Sequence, residues 1–155
     1  MSYLDTQSIQ QRNVETWLTL QATLDERRMR YVTRTDLEGT LWIECLGFNA
    51  YPNCTPMIRI GPEVGNAVLE VRAHLLVPSS YCAHAERVMA QASLEWTLGT
   101  LKYCAASGQI LLETPISFID SKLRPQDVLF TLRRMSHQLD LVIGELWDGL
   151  IAGNG

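Results

Sequence analysis

The chain has 155 residues, of which 46% are hydrophobic and 19% are charged, and this composition excludes a disordered or fibrous protein. We expect a single folded domain over residues 1–155. The net charge of -4 lacks the excess of Lys and Arg that nucleic-acid binding requires, so no nucleic-acid partner is expected. Two short basic clusters, Arg27–Arg30 and Arg133–Arg134, are interpreted as the end of one helix and the solvated face of another.

The N-terminal residues contain no basic region followed by an apolar stretch, so no secretory signal is predicted. No apolar run approaches the roughly 20 residues that span a bilayer, and no membrane partner is expected. We therefore predict a cytoplasmic protein. Its four scattered cysteines, without a Cys-x-x-Cys pair, are interpreted as free thiols.

The first half of the chain is predicted to form one helix followed by four strands. Val14, Leu18 and other apolar residues recur at near-helical spacing and predict a helix over Thr6–Met29. β-Branched and aromatic residues on either side of an Asp/Gly turn then predict a hairpin. The predicted strands are Tyr31–Thr35, Thr40–Leu46, Met57–Ile60 and Ala67–Val77. An irregular loop, Gly47–Pro56, separates the second strand from the third.

The second half is predicted to form helix, strand, tight turn, strand and long helix. A helix follows Pro78–Ser80 and reaches about Leu98, with apolar residues at Ala85, Val88, Met89, Ala92 and Trp96. Two strands, Leu101–Ala106 and Gln109–Ile116, flank Ser107-Gly108. Pro125 opens the last helix, whose apolar stripe consists of Val128, Leu132, Met135, Leu139, Val142, Leu146 and Leu150.

The resulting order, α-ββββ-α-ββ-α, indicates an α+β fold: an antiparallel sheet of about five to six strands with helices packed on it. The stripe from Val128 to Leu150 is longer than one small sheet is expected to cover. We therefore predict a homodimer that buries the surplus apolar surface of the last helix.

Reactive residues form only one local cluster, Cys82-x-His84, to which His74 or Cys54 could add zinc ligands. The spacing is poor for a zinc site, and Cys82 has neither an oxyanion-hole motif nor a third orienting residue for nucleophilic chemistry. Gly61–Gly65 lacks the following Lys-Ser/Thr of a phosphate-binding loop. We therefore expect no enzyme activity, no catalytic residue, no metal and no cofactor.

Four segments of the second half share their hydrophobic pattern with a known family: Ala92–Leu98, Leu101–Tyr103, Gly108–Glu113 and Leu123–Leu129. Leu139-Asp140 and Trp147 fall where that family's last helix continues. From about Ala67 onward the chain thus resembles the YbjN-like bacterial family within the type III secretion chaperone-like fold. The first helix and the Gly47–Pro56 loop depart from the family pattern.

The resemblance implies a non-enzymatic, often dimeric protein that holds an extended or helical segment of a client. We therefore predict a chaperone-like assembly or adaptor protein that binds a flexible segment or tail of a client protein. A role in secretion is not carried over, because the departures fall in regions that secretion chaperones use to grip their clients. The alternative is a regulatory or sensory module that binds a small molecule between helix and sheet.

Peptide binding has a physical basis, since sheet edges accept added strands and aromatic grooves supply side-chain pockets. The candidate peptide-binding residues are Trp42, Phe48, Tyr51, Pro52, Met57 and Trp147. The alternative for Trp42 and Trp147 is packing in the core or in a dimer seam.

Overall fold

The computed structural model describes residues 6–46, 48, 50–62, 66–95, 99–117 and 124–152, and these contain three α-helices and six strands. In chain order the elements are α1 (Thr6–Glu26), β1 (Tyr31–Thr35), β2 (Leu41–Cys45), β3 (Cys54–Ile60), β4 (Asn66–Leu76), a single 3-10 turn (Ser79–Tyr81), α2 (Cys82–Glu95), β5 (Thr100–Cys104), β6 (Gln109–Ser117) and α3 (Pro125–Ala152). The predicted α+β class and the order α-ββββ-α-ββ-α are confirmed.

All six strands pair antiparallel in one sheet of order β1-β2-β3-β4-β6-β5, so β1 and β5 are its edges. One face of the sheet, the core face, is covered by the helices. Ile43, Ile58 and Leu69 stand side by side on it and are fully buried. They share one hydrophobic cluster with buried side chains of α1, α2 and α3.

The opposite face, the open face, carries mostly long polar side chains. Strand register places the following residues on it: Arg34, Trp42, Met57, Arg59, Glu70, Arg72, Lys102 and Glu113. The alternation predicted for β4 is confirmed, because Leu69 and Val71 point into the core while Glu70 and Arg72 lie on the open face. Glu70 is only 4% exposed, and its Oε2 accepts a hydrogen bond of 2.5 Å from Arg72.

The predicted apolar stripe of the long helix α3 is covered by its own chain. It packs across β3, β4 and β6. The described side chains of its predicted stripe are at most 1% exposed: Val128, Leu132, Met135, Leu139, Val142 and Leu146. These six side chains therefore leave no apolar surface for a second copy, because three strands and α2 cover them within one chain. The side chain of Leu150, the last residue of the predicted stripe, lies outside the described residues.

Strand β3 begins at Cys54, three residues before the predicted start, so the predicted Gly47–Pro56 loop is shorter than expected. Pro56 lies opposite Val71 of β4, but β2 pairs with β3 only from Met57 onward. The position is thus a local sheet edge, where the missing N–H of a proline is tolerated. Helix α1 ends at Glu26 rather than at Met29. Trp96 and Leu98 lie outside the described residues.

Candidate functional site

An open groove of about 720 Å³ lies between the end of α1, the loop after β2 and the first half of α3. We call it the arginine groove. Its lining consists of Arg27, Arg28, Met29, Arg30, Leu46, Phe48, Ala50 and Arg133. It therefore brings Arg133 of the second basic cluster beside the arginines of the first, which lie more than 100 residues earlier in the sequence.

The end of α1 places three of these arginines. The N–H of Met29 donates to the carbonyl of Leu24 and the N–H of Arg28 to that of Asp25, both at 3.0 Å. This is the Schellman arrangement that closes a helix, and it requires the left-handed backbone that Arg28 adopts with φ of 55°. The chain turns away from the helix axis at this residue, so the arginines line the groove instead of continuing the helix.

The second wall is a loop that is tied to both the sheet and α3. The N–H of Leu46 donates to the carbonyl of Arg30 at 2.9 Å and extends the β1–β2 ladder. Phe48 is half-buried against the hydrophobic core, and its carbonyl accepts from the N–H of Tyr51 at 2.9 Å. The Tyr51 ring contacts His137 of α3, with 5.5 Å between ring centroids. These contacts hold Phe48 beside α3, where Arg133 completes the groove.

The groove is electrostatically one-sided. Its four arginines are exposed, and in the described part of the chain none of them forms an ion pair. No acidic residue lines it in that part of the chain. Guanidinium groups recognise carboxylates and phosphates by paired hydrogen bonds, so this arrangement suits an anionic ligand. Leu46, 60% exposed, and Phe48 add an apolar patch to the same groove.

The six predicted peptide-binding residues fall in three places. Phe48 lines the arginine groove, and Tyr51 and Pro52 belong to the loop that forms its wall. Trp42 and Met57 lie on the open face, on neighbouring strands. Trp147 is 53% exposed near the far end of α3. The structure thus does not bring the six predicted residues together at one site. Neither Trp42 nor Trp147 lies in the hydrophobic core cluster.

Trp42 is engaged by its own chain. Its indole Nε1–H donates to Oδ2 of Asp36 at 3.2 Å, and the Arg34 guanidinium lies 4.5 Å from the ring centroid. Arg59 lies 6.0 Å from the same ring and donates to Glu113 at 3.2 Å. Met57, beside Trp42 on the open face, is only 3% exposed. A peptide would have to displace these contacts to reach either residue.

The four residues considered for zinc have separate surroundings. The Cys82 thiol lies 3.5 Å from a carboxylate oxygen of Glu86, whereas the Cys54 thiol lies 3.8 Å from the carbonyl of Ser136. His74 shares a hydrogen bond of 2.6 Å with Thr55, and His84 packs on Gly149. Among the residues that the structure describes, no three His, Cys, Asp or Glu side chains are placed to hold a metal ion.

The arginines of the groove are candidate residues that the sequence interpretation places at a helix end and on a solvated helix face, without a binding role. Each basic cluster is ordinary when considered alone, as a helix end or a helix face. Only the packing of α1 and α3 against the same sheet makes them neighbours. The sequence shows that the arginines are clustered, but it does not show that the two clusters meet or what they bind.

Comparisons with known proteins give a fold but no family. The chain matches no protein-family model and no curated protein sequence. Among the helices in the described residues, none is long and apolar enough to cross a membrane. The crystal structure of YbjN from E. coli, described as a candidate transcription regulator, is similar to this one, with a TM-score of 0.57 and 14% identity over 83% of this chain and 89% of that chain. The chain therefore has a YbjN-like fold, as its sequence resemblance implies.

Proposed function

We propose that this protein is a non-enzymatic, chaperone-like adaptor that binds an acidic, flexible segment of a client protein in the arginine groove. The observation that supports it best is the convergence of Arg27, Arg28, Arg30 and Arg133, without an ion-pair partner among the described residues, beside exposed apolar surface. A cytoplasmic location belongs to the same proposal.

The charges of the groove favour a segment with several carboxylates. An exposed ion pair contributes only up to about 1 kcal/mol, so useful affinity requires several arginines acting together. Leu46 and Phe48 favour an apolar or aromatic side chain among the acidic ones, which would distinguish a client from any polyanion. Binding should weaken as salt screens the exposed charges.

The structural comparison is compatible with this role. YbjN is described as a candidate transcription regulator, and a small protein that regulates by holding another protein needs a binding groove rather than a catalytic centre. Only a regulatory role is taken from that protein, and the adaptor role rests on the arginine groove.

A matched pair of variants on α3 tests the proposal. Arg133 lines the groove, whereas the adjacent Arg134 is also exposed but lies against the Phe130 ring, 5.8 Å from its centroid. Peptides that combine Asp or Glu with one aromatic residue are screened on an array, and the best is titrated by calorimetry. We expect Arg133→Gln to weaken binding by up to about fivefold, the equivalent of one exposed ion pair, and Arg134→Gln to leave it unchanged. Equal effects of the two variants, or no acidic peptide that binds, would contradict the proposal.

A small anionic molecule is the second candidate, because the volume of about 720 Å³ lies within the range of small-ligand sites. This second candidate corresponds to the alternative prediction of a regulatory or sensory module that binds a small molecule. Thermal-shift screening with carboxylated and phosphorylated metabolites distinguishes the two, since stabilisation by metabolites but not by acidic peptides would replace the adaptor proposal. A duplex oligonucleotide that competes with the best peptide and binds more tightly would also replace it.

A further inference from the structure

We infer that the client segment held in the arginine groove has one apolar residue between two acidic parts, one on each side of it. This specificity rests on the proposed function and concerns the same groove. The charged and apolar side chains line the groove in a fixed order, and a ligand that contacts all of them has to present its own groups in the matching order.

The arginines of the groove stand on opposite sides of it. Arg27, Arg28 and Arg30 follow the end of α1, which packs on β2, whereas Arg133 belongs to α3, which packs on β3 and β4. Because β2, β3 and β4 are neighbours in the sheet, the two helices lie side by side on it. Helices packed in this way are about 8–10 Å apart. Three arginines thus flank one side of the groove and one arginine flanks the other.

The connection from β2 to β3 places apolar side chains between these two sides. Leu46 directly follows β2, and its N–H donates to the carbonyl of Arg30 at 2.9 Å, so it lies toward the end of α1. Phe48 lies toward α3, because its carbonyl accepts from the N–H of Tyr51, whose ring contacts His137. The apolar patch of Leu46 and Phe48 is therefore flanked by arginine on both sides.

The spacing of the two sides sets the length of the matching segment. An extended chain rises about 3.3 Å per residue, so about three residues span the distance between the two helices. An acidic side chain within about three residues on each side of an apolar one can thus reach both groups of arginines while the apolar side chain covers Leu46. A segment with its apolar residue at one end has to give up either Arg133 or the apolar patch. The order of residues, and not only their composition, then distinguishes a client from other acidic chains.

Calorimetry with peptides of identical composition tests this order. The centred peptide is a capped heptapeptide with phenylalanine at its fourth position and acidic residues at the other six. Two shifted peptides carry the phenylalanine at the first or at the seventh position. We expect each shifted peptide to bind about fivefold more weakly, the equivalent of one exposed ion pair. Equal affinities of the three peptides would overturn the inference and leave the adaptor proposal intact, whereas no binding by any of them would contradict both.

Two matched pairs of variants connect the preference with the groove. Arg133→Gln should bring the centred and the better shifted peptide to equal affinity, because one side of the groove then lacks its arginine, whereas Arg134→Gln should preserve the preference. Leu46→Ser should lower the preference and Leu141→Ser should not, although the two leucines are 60% and 50% exposed. Circular dichroism verifies that each variant folds. An unchanged preference in Arg133→Gln or in Leu46→Ser would overturn the inference.

Discussion

The imidazole of His84 on α2 lies directly on Gly149 of α3, where a Cβ would overlap the ring. The absence of a side chain at Gly149 thus sets how closely the two helices approach. Gly144, five residues earlier on α3, has no neighbouring atom within 4 Å of the position that an added Cβ would occupy. The two glycines therefore have opposite structural roles in one helix.

Gly149→Ala should lower the free energy of unfolding by about 1–3 kcal/mol, because the added methyl group overpacks the contact with His84. Gly144→Ala should raise it by up to about 1 kcal/mol, since alanine is the better helix former and nothing obstructs it. Urea unfolding of both variants measures the two changes. A stabilising Gly149→Ala would show that α2 and α3 do not pack as described.

Arg28 should limit stability while it contributes to binding. Its left-handed backbone costs about 1–2 kcal/mol for a residue with a Cβ, and glycine removes that cost. Arg28→Gly should thus raise the free energy of unfolding by about 1 kcal/mol and weaken acidic-peptide binding. Arg28→Ala is the control, because it removes the charge but keeps the strained conformation. Weaker binding in both variants with stabilisation in Arg28→Gly alone is the expected pattern, measured by urea unfolding and calorimetry.

Cys104 should be the most reactive thiol at neutral pH. Hydrogen bonds from the side chain and backbone of Ser107, and from the backbone of Ala106, lower its pKa, and the residue is exposed. Ser107→Ala removes the side-chain hydrogen bond and should raise the pKa, so the pH midpoint of alkylation moves upward. Iodoacetamide labelling followed by mass spectrometry measures the profile. An unchanged midpoint in the variant would contradict this assignment.

Stability should fall at alkaline pH because of two buried thiols. Burial raises the pKa of Cys45 and of Cys54 from 9.0 to about 12. Between these values the unfolded chain loses thiol protons that the folded chain retains, so the stabilisation is complete below pH 9.0 and declines above it. The decline is about 1.4 kcal/mol per pH unit for each thiol. Chemical unfolding from pH 8 upward should show a shallower decline in the double variant Cys45→Ala, Cys54→Ala, and identical slopes would disprove the effect.

Much of the fold could be predicted because its signals are local. The two-residue period of β4 separates Leu69 and Val71 from Glu70 and Arg72, and Pro125 marks the start of α3. The early start of β3 could not be predicted, since Pro56 fits a strand only where β2 has ended. Where β2 ends relative to Pro56 depends on how the two strands pair, and this pairing cannot be derived from the residues around Pro56 alone.

The candidate site was predicted only in part, for the same reason. Phe48 and its loop contribute to the groove, but Trp42 is held by Asp36 and Arg34, and Trp147 lies elsewhere on α3. The arginines are visible in the sequence as two clusters that are interpreted as a helix end and a solvated helix face, because their convergence depends on how α1 and α3 pack. Whether the apolar stripe of α3 is buried within one chain likewise depends on how many strands the helix crosses.

Met57 shows what the open face does for the rest of the molecule. Its side chain is only 3% exposed although it lies on the open face, where the strands carry ionic and aromatic groups. Those groups are already matched to one another: Arg59 and Lys102 with Glu113, and Arg72 with Glu70. Any protein that covered this face would have to remove water from ion pairs that are already formed, and the desolvation would cost more free energy than the new contacts supply. The face therefore discourages association and directs partners to the rim of the molecule.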